Sequence, residues 1–283
     1  MKDESLLTFS TLKEKMKDYR SQIEKALNTE LEHYTQSHFY KPLCYALKGG
    51  KRIRPIILLL SAESIGRNDV EPLSAAIAIE LLQTESLIHD DILDEEILRR
   101  DRPAFHIKYG LGASILTADF VFGIILDIAL RYRDKRVGKE LSSVALRMCD
   151  GEFQELKIDP KIYRLSWEEY LNLISQKTAS LFEASAKIGG IIGGGANNEI
   201  KALSSYGYFL GLAYQLQDDL LDWNKKDKAS NALDIKKDLD KLSYLKKMSE
   251  TYIIRAKQKL NLLSNTKAKE HLFDLADFMI SYR

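Results

Sequence analysis

Proline occurs only at Pro42, Pro55, Pro72, Pro103 and Pro160, and the long intervals between carry apolar residues at helical spacing. Over residues 72–100, Leu73, Ile77, Ile79, Leu81, Leu82, Leu87, Ile88 and Leu93 recur as one long helix requires. A second helix is expected to start at Ser166, with Glu168 and Glu169 in its first turn, and to stop at Gly189 and Gly190. Others are expected over 200–223, 239–263 and 267–281, with a polar break at 261–265. No Asn-Gly or Asp-Gly pair lies between alternating apolar residues, so no hairpin is expected. The prediction is an all-α fold: residues 1–283 as a single-domain bundle of roughly ten helices, several apolar all round and hence central.

Forty-five per cent hydrophobic and 29% charged residues are enough for a substantial core. The 42 basic and 41 acidic side chains leave a net charge of +1, which excludes an electrostatic case for nucleic acid or an anionic membrane. Any grip on an anion must therefore be local. Cys44 and Cys149 are the only cysteines and no His stands at metal-ligand spacing from either, so neither a disulfide framework nor a zinc site is expected. Residues 1–20 alternate charged with apolar side chains, unlike a signal peptide. The longest apolar runs, such as 56–60 and 120–128, fall short of a membrane span. A cytoplasmic protein without a membrane span is expected.

Two motifs carry chemistry: Asp90-Asp91-Ile92-Leu93-Asp94, and much later Asp218-Asp219-Leu220-Leu221-Asp222. Both follow long apolar helical segments. On a helix, positions four apart lie about 40° apart, so the first and last carboxylates of each motif face one way. Solvated acidic faces are the ordinary alternative, but the apolar context of both motifs argues against it. Carboxylates held this close repel one another unless a cation intervenes. An all-oxygen donor set points to Mg²⁺, which completes its shell with phosphates and water.

Gly49-Gly50-Lys51-Arg52-Ile53-Arg54-Pro55 places three cations behind a glycine pair at a helix start, a setting that suits phosphate. Taken alone, it reads equally well as a structural turn. Arg99 and Arg100 follow the first acidic motif by about one further helical turn, as anion grips or as salt-bridge partners. Lys177-Thr178 sits mid-helix in an apolar segment, where a lysine is ordinarily solvated. Gln215 stands three positions before Asp218, roughly on its face, whereas Gln217 reads as a plain helix-face residue.

In order and spacing these residues resemble the trans-isoprenyl diphosphate synthases, the family of farnesyl, geranylgeranyl and longer polyprenyl diphosphate synthases. The resemblance runs over residues 43–244. It rests on GGKRIRP at 49–55, the stretch from Gln83 through the first motif to Arg100, Lys177-Thr178, and YQLQDDLLD at 214–222. It implies the isoprenoid synthase fold, helices around a deep central cavity, usually as a homodimer. It implies that isopentenyl diphosphate and an allylic diphosphate (dimethylallyl or geranyl) join head to tail, as in a geranyltranstransferase of the farnesyl diphosphate synthase type. Gly50, Lys51, Arg54, Gln83 and Arg100 would grip the isopentenyl diphosphate. Arg99, Lys177 and Gln215 would contact the allylic one, with Thr178 and Gln215 placing oxygen dipoles near the developing cation. Asp90, Asp94 and Asp218 would hold three Mg²⁺ ions, supported by Asp91, Asp219 and Asp222.

Three departures from the family pattern stand out. Asp101 replaces the glycine common after the paired arginines. Residues 223–231 lack the usual Gly-Asp and Gly-Lys pairs, leaving Lys228 as the substitute cation. Asp240-Lys241-Leu242-Ser243 replaces a Gly-Lys-x-Thr pattern. Family members that make C15 products often carry an aromatic residue shortly before the first motif. This chain has Glu85 and Ser86 there, so a floor at Phe120 or Phe122 is expected instead, with a C15 to C20 product. The alternatives are a longer-chain synthase, a class I terpene cyclase, and a non-catalytic partner subunit. Two DDxxD motifs beside GGKRIRP favour chain elongation over the cyclase, and the retention of all six acidic residues argues against the inactive partner.

Overall fold

A capping box opens the helix at Ser166 as expected: Ser166 Oγ accepts from the Glu169 amide at 3.2 Å, and the Glu169 carboxylate accepts from the Ser166 amide at 2.8 Å. The computed structural model to which it belongs describes residues 2–67, 69–159, 164–221 and 240–281, with side chains described from residue 10 to 280. The elements are α1 (Lys2–Glu32), α2 (Tyr40–Leu47), α3 (Ile53–Ile65), α4 (Leu73–Leu93), β1 (Leu98–Arg99), β2 (Arg102–Pro103), α5 (Phe105–Tyr109), α6 (Leu111–Arg131) and α7 (Lys135–Glu155). They continue with α8 (Trp167–Ile174), a π-helical segment (Ser175–Ala179), α9 (Ser180–Ile192), α10 (Asn197–Leu221), α11 (Lys241–Leu260) and α12 (Lys267–Ser281).

The all-α expectation is borne out. At the centre α9 packs between α3, α7 and α10, and α10 also carries α11 on its outer side. Both α3 and α9 are buried almost all round, as their unbroken apolar sequences require. Glycines make this close packing possible. A Cβ at Gly189 would fall 2.3 Å from the Leu58 carbonyl oxygen, and one at Gly207 equally close to that of Phe182.

Four local expectations need correction. Gly189 and Gly190 do not end their helix; α9 runs on to Ile192, and the glycines serve as contact points with α3 and α10. The stretch from Ser166 is not one uniform helix, because the π-helical turn interrupts it at 175–179. The helix holding the first acidic motif stops at Leu93, and a two-residue hairpin follows, pairing Leu98 with Pro103 and Arg99 with Arg102. Its turn needs positive φ at both central residues, which Arg100 (φ 55°) and Asp101 (φ 58°) adopt without any glycine to announce it. Finally, α6 is long and apolar enough to cross a membrane by length and composition alone, although the run at 120–128 fell short. One side of it, including Thr117, Ala118, Val121, Ile124, Ile125 and Ile128, is buried in the helical core.

Candidate functional site

The carboxyl ends of α4 and α10, distant in sequence, reach the same cavity. Asp90 from α4, Asp94 at its C-cap, and Asp218 and Asp219 from α10 line one space of about 1350 Å³. Gly49, Gly50, Lys51, Arg54, Gln83, Arg99, Arg100, Lys177, Thr178 and Gln215 line it too. Asp91 turns inward instead, to Arg99, whose Nε donates to its carboxylate at 2.6 Å. Asp222 and Lys228 lie outside the described residues.

The GGKRIRP turn divides its three cations. Gly49 and Gly50 have φ of 87° and 103°, and the Arg100 guanidinium lies against them: a Cβ on Gly50 would stand 3.1 Å from Arg100 Nη2. Lys51 and Arg54 face the cavity, with the Arg54 guanidinium 4.6 Å from the centre of the Phe182 ring. Arg52 is structural. Only 2% exposed, it bonds Glu80, Glu24 (Nε–Oε1 2.9 Å) and the Leu47 carbonyl, so it ties α1, α2 and α4 to the start of α3. Partial burial lowers the pKa of Arg100 and the nearby guanidiniums of Arg52, Arg99 and Arg102 add to the effect, against the pull of Glu80. This corner favours an incoming anion.

On the opposite wall, one hydrogen-bonded chain fixes the second motif. Thr178 Oγ1 donates to Gln215 Oε1 at 2.7 Å, Gln215 Nε2 donates to Asp219 Oδ1 at 2.9 Å, and the buried Tyr170 hydroxyl donates to Asp219 Oδ2. Lys177 is held by Glu155 (2.5 Å) and Glu152 (2.7 Å), with Asp90 at 3.8 Å. Burial opposes its charge, but Glu155, Asp90 and Glu152 together hold its pKa well above the ordinary lysine value. The Glu152 carboxyl is pushed up to about 7, by burial first and then by Asp90, which together outweigh Lys177.

Lys177 and Thr178 owe their position to the π-turn, and the π-turn is gripped by glycines. A Cβ on Gly151 of α7 would sit 2.6 Å from the Lys177 amide nitrogen, and one on Gly211 of α10 would be as close to Ala179 Cα. Glu152, Glu155 and Tyr170 are site residues that sequence reasoning missed. The signal for the two glutamates was present as Gly151-Glu152-Phe153-Gln154-Glu155, acids three apart on one helix face beside a glycine. Tyr170 carries no such mark. The departure at 240–243 has a structural reading: Asp240 caps α11, accepting from the Leu242 and Ser243 amides and from Ser243 Oγ.

Among the described residues, no three acidic, His or Cys side chains converge closely enough to hold a cation unaided. An all-oxygen donor set divided between two walls of a cation-lined cavity suits Mg²⁺ sharing its shell with phosphate oxygens.

A second cavity of about 240 Å³ adjoins the first, and the two share Arg54, Gln83, Asp90, Leu93, Lys177 and Thr178. It runs between α4 and α7 with Phe122 of α6 on its wall. Phe120 points elsewhere, stacked on Phe39 at 4.6 Å.

Comparison with known proteins agrees with this arrangement. The polyprenyl synthetase family model matches residues 36–274. A geranylgeranyl diphosphate synthase of Methanosarcina mazei is 30% identical over 318 residues, covering 96% of this chain and 98% of its own. An octaprenyl diphosphate synthase of Escherichia coli is 35% identical over 204 residues, which are 71% of this chain and 61% of that one. Among solved structures, a geranylgeranyl pyrophosphate synthetase of Pyrococcus horikoshii superposes with a TM-score of 0.84 at 28% identity, covering 97% of this chain and 99% of that one.

Proposed function

This chain belongs to the polyprenyl synthetase family and is a trans-prenyltransferase; we propose that it joins isopentenyl diphosphate to dimethylallyl or geranyl diphosphate and releases a C15 to C20 product of the farnesyl or geranylgeranyl type. One observation carries the proposal: acidic side chains from two helices distant in sequence line a single cavity with seven anion-binding or polar groups of the expected kinds, Lys51, Arg54, Gln83, Arg99, Arg100, Lys177 and Gln215. The whole chain, 1–283, acts as one domain in this reading.

Lys51, Arg54, Gln83 and Arg100 hold the isopentenyl diphosphate in the corner where guanidiniums crowd, with the Gly50 backbone close by. Arg99 and Lys177 hold the allylic diphosphate, leaving Asp91 and the two glutamates for substrate oxygens. Asp90, Asp94 and Asp218 would hold Mg²⁺, three ions in all, with Asp91, Asp219 and Asp222 in support. Bound there, the metal would supply positive charge to the departing diphosphate. Leu87, Leu173, Ile174 and Phe182, which line the same cavity, limit water around the allylic cation. Thr178 and Gln215, locked together by their hydrogen bond, turn oxygen dipoles toward that cation. The isopentenyl double bond then attacks it, and a proton leaves to the diphosphate released. The apolar tail extends into the 240 Å³ cavity, where Phe122 contributes to the floor.

A homodimer belongs to this reading, supported by the stripe Ile115, Leu116, Leu126 and Leu130 on α6, each at least 49% exposed. So does a cytoplasmic setting, supported by two unpaired cysteines.

The test is incubation with labelled isopentenyl diphosphate and each allylic starter, with products identified by mass spectrometry. Asp90→Asn and Asp218→Asn are expected to lose turnover by orders of magnitude while helical circular dichroism stays intact. Near-normal turnover in a metal-depleted assay would overturn the mechanism.

A further inference from the structure

One cation of the main cavity has no role so far. Arg20 lines it together with the glycine turn at 49–50, yet it comes from α1, upstream of residues 36–274 that match the polyprenyl synthetase family. Helix α1 is pinned on either side of it. Tyr19 donates its hydroxyl to Glu63 near the end of α3, and Lys15 pairs with the same carboxylate at 2.9 Å. Glu24, one turn beyond Arg20, accepts from Arg52 Nε at 2.9 Å, just before α3 begins. The backbone at Arg20 is therefore fixed across α3. Its side chain stays exposed and, among the described residues, has no hydrogen bond or ion pair. The carboxylates at this corner are already committed, since Glu24 and Glu80 both bind Arg52. An arginine with a fixed backbone, a free head and no counter-charge is suited to an anion arriving from solvent.

We infer that Arg20 is a further binding residue for the isopentenyl diphosphate, closing on its phosphate oxygens from the α1 side. The inference rests on the prenyltransferase reading above. In that reading Mg²⁺ serves the departing allylic diphosphate, so the charge of the isopentenyl diphosphate falls to side-chain cations alone. Lys51 and Arg54 come from the start of α3 and Arg100 from the hairpin; Arg20 supplies a guanidinium fork from a third element. Its contact is the same before and during the reaction, so it contributes to capture of this substrate and not to the ionisation step.

The experiment measures KM for each substrate and kcat in the wild type, Arg20→Met, Arg20→Lys and Lys17→Met. Arg20→Met is expected to raise KM for isopentenyl diphosphate roughly tenfold, the order that one charge-assisted hydrogen bond carries, with kcat and the KM for geranyl diphosphate unchanged. Arg20→Lys keeps the charge without the fork and is expected to fall between. Lys17→Met takes the same charge from an exposed site on α1 outside the cavity and is expected to change neither KM. Calorimetric titration with isopentenyl diphosphate, without metal or allylic substrate, is expected to show the same weakening in Arg20→Met. An unchanged affinity in that variant, an equal rise in KM for both substrates, or the same rise in Lys17→Met overturns the assignment. Arg20→Gln carries the test where circular dichroism shows Arg20→Met unfolded. A wild-type protein that forms no prenyl product fails the underlying reaction, whereas the titration still reads the Arg20 contact.

Discussion

At single positions, the most informative residues are those whose role differs from their apparent chemistry. Arg52 sits between the cavity-lining cations Lys51 and Arg54 in sequence, yet its guanidinium is spent on Glu80, Glu24 and the Leu47 carbonyl. Removing it by Arg52→Ala strands the Glu80 carboxylate, itself only 4% exposed, and is expected to cost about 3–5 kcal/mol in a urea melt. Asp101 is the converse case. Its φ of 58° explains why a glycine suits that position, and it leaves an L-residue under strain. Asp101→Gly is expected to stabilise the fold by roughly 0.5–1 kcal/mol, read as a higher thermal midpoint. The order and spacing of the motifs made Lys51, Arg54, Asp90 and Asp218 legible in the sequence. The inward turn of Asp91 and the capture of Lys177 by Glu152 and Glu155 were not, because both depend on a hairpin and a helix packed from elsewhere.

Among the elements, the π-turn at 175–179 illustrates what periodicity does not reveal. The apolar pattern on either side is helical, and one inserted residue shifts the face without changing the composition. Its position is set by contacts from α7 and α10, through Gly151 and Gly211, which no local pattern within 166–192 encodes. Gly151→Ala must displace the Lys177 backbone, so a loss of about 1–3 kcal/mol is expected. Turnover should fall further than stability alone explains, since Lys177 and Thr178 move with it; kcat measured well below the melting temperature separates the two. The other helix-scale misreadings share this origin. Gly189 and Gly190 resemble a terminator but serve as a contact surface for α3 and α10, while long elements such as α4 and α12 were legible because their apolar faces persist over many turns.

For the whole molecule, the helices meet in one extensive apolar core, and the side of α6 carrying Ile115, Leu116, Leu126 and Leu130 is left outside it. Light scattering after size exclusion is expected to give twice the chain mass of 32.3 kDa. Leu116→Glu together with Leu126→Glu is expected to shift it toward that of a single chain, since charge at a self-complementary apolar patch is strongly opposed. Only 39% of the most apolar stretch of α6 is buried within its own chain. In a dimer the durability of the fold would cease to be a property of one molecule: dilution is expected to wet that helix and lower the melting point, and a higher concentration of identical copies to raise it by mass action.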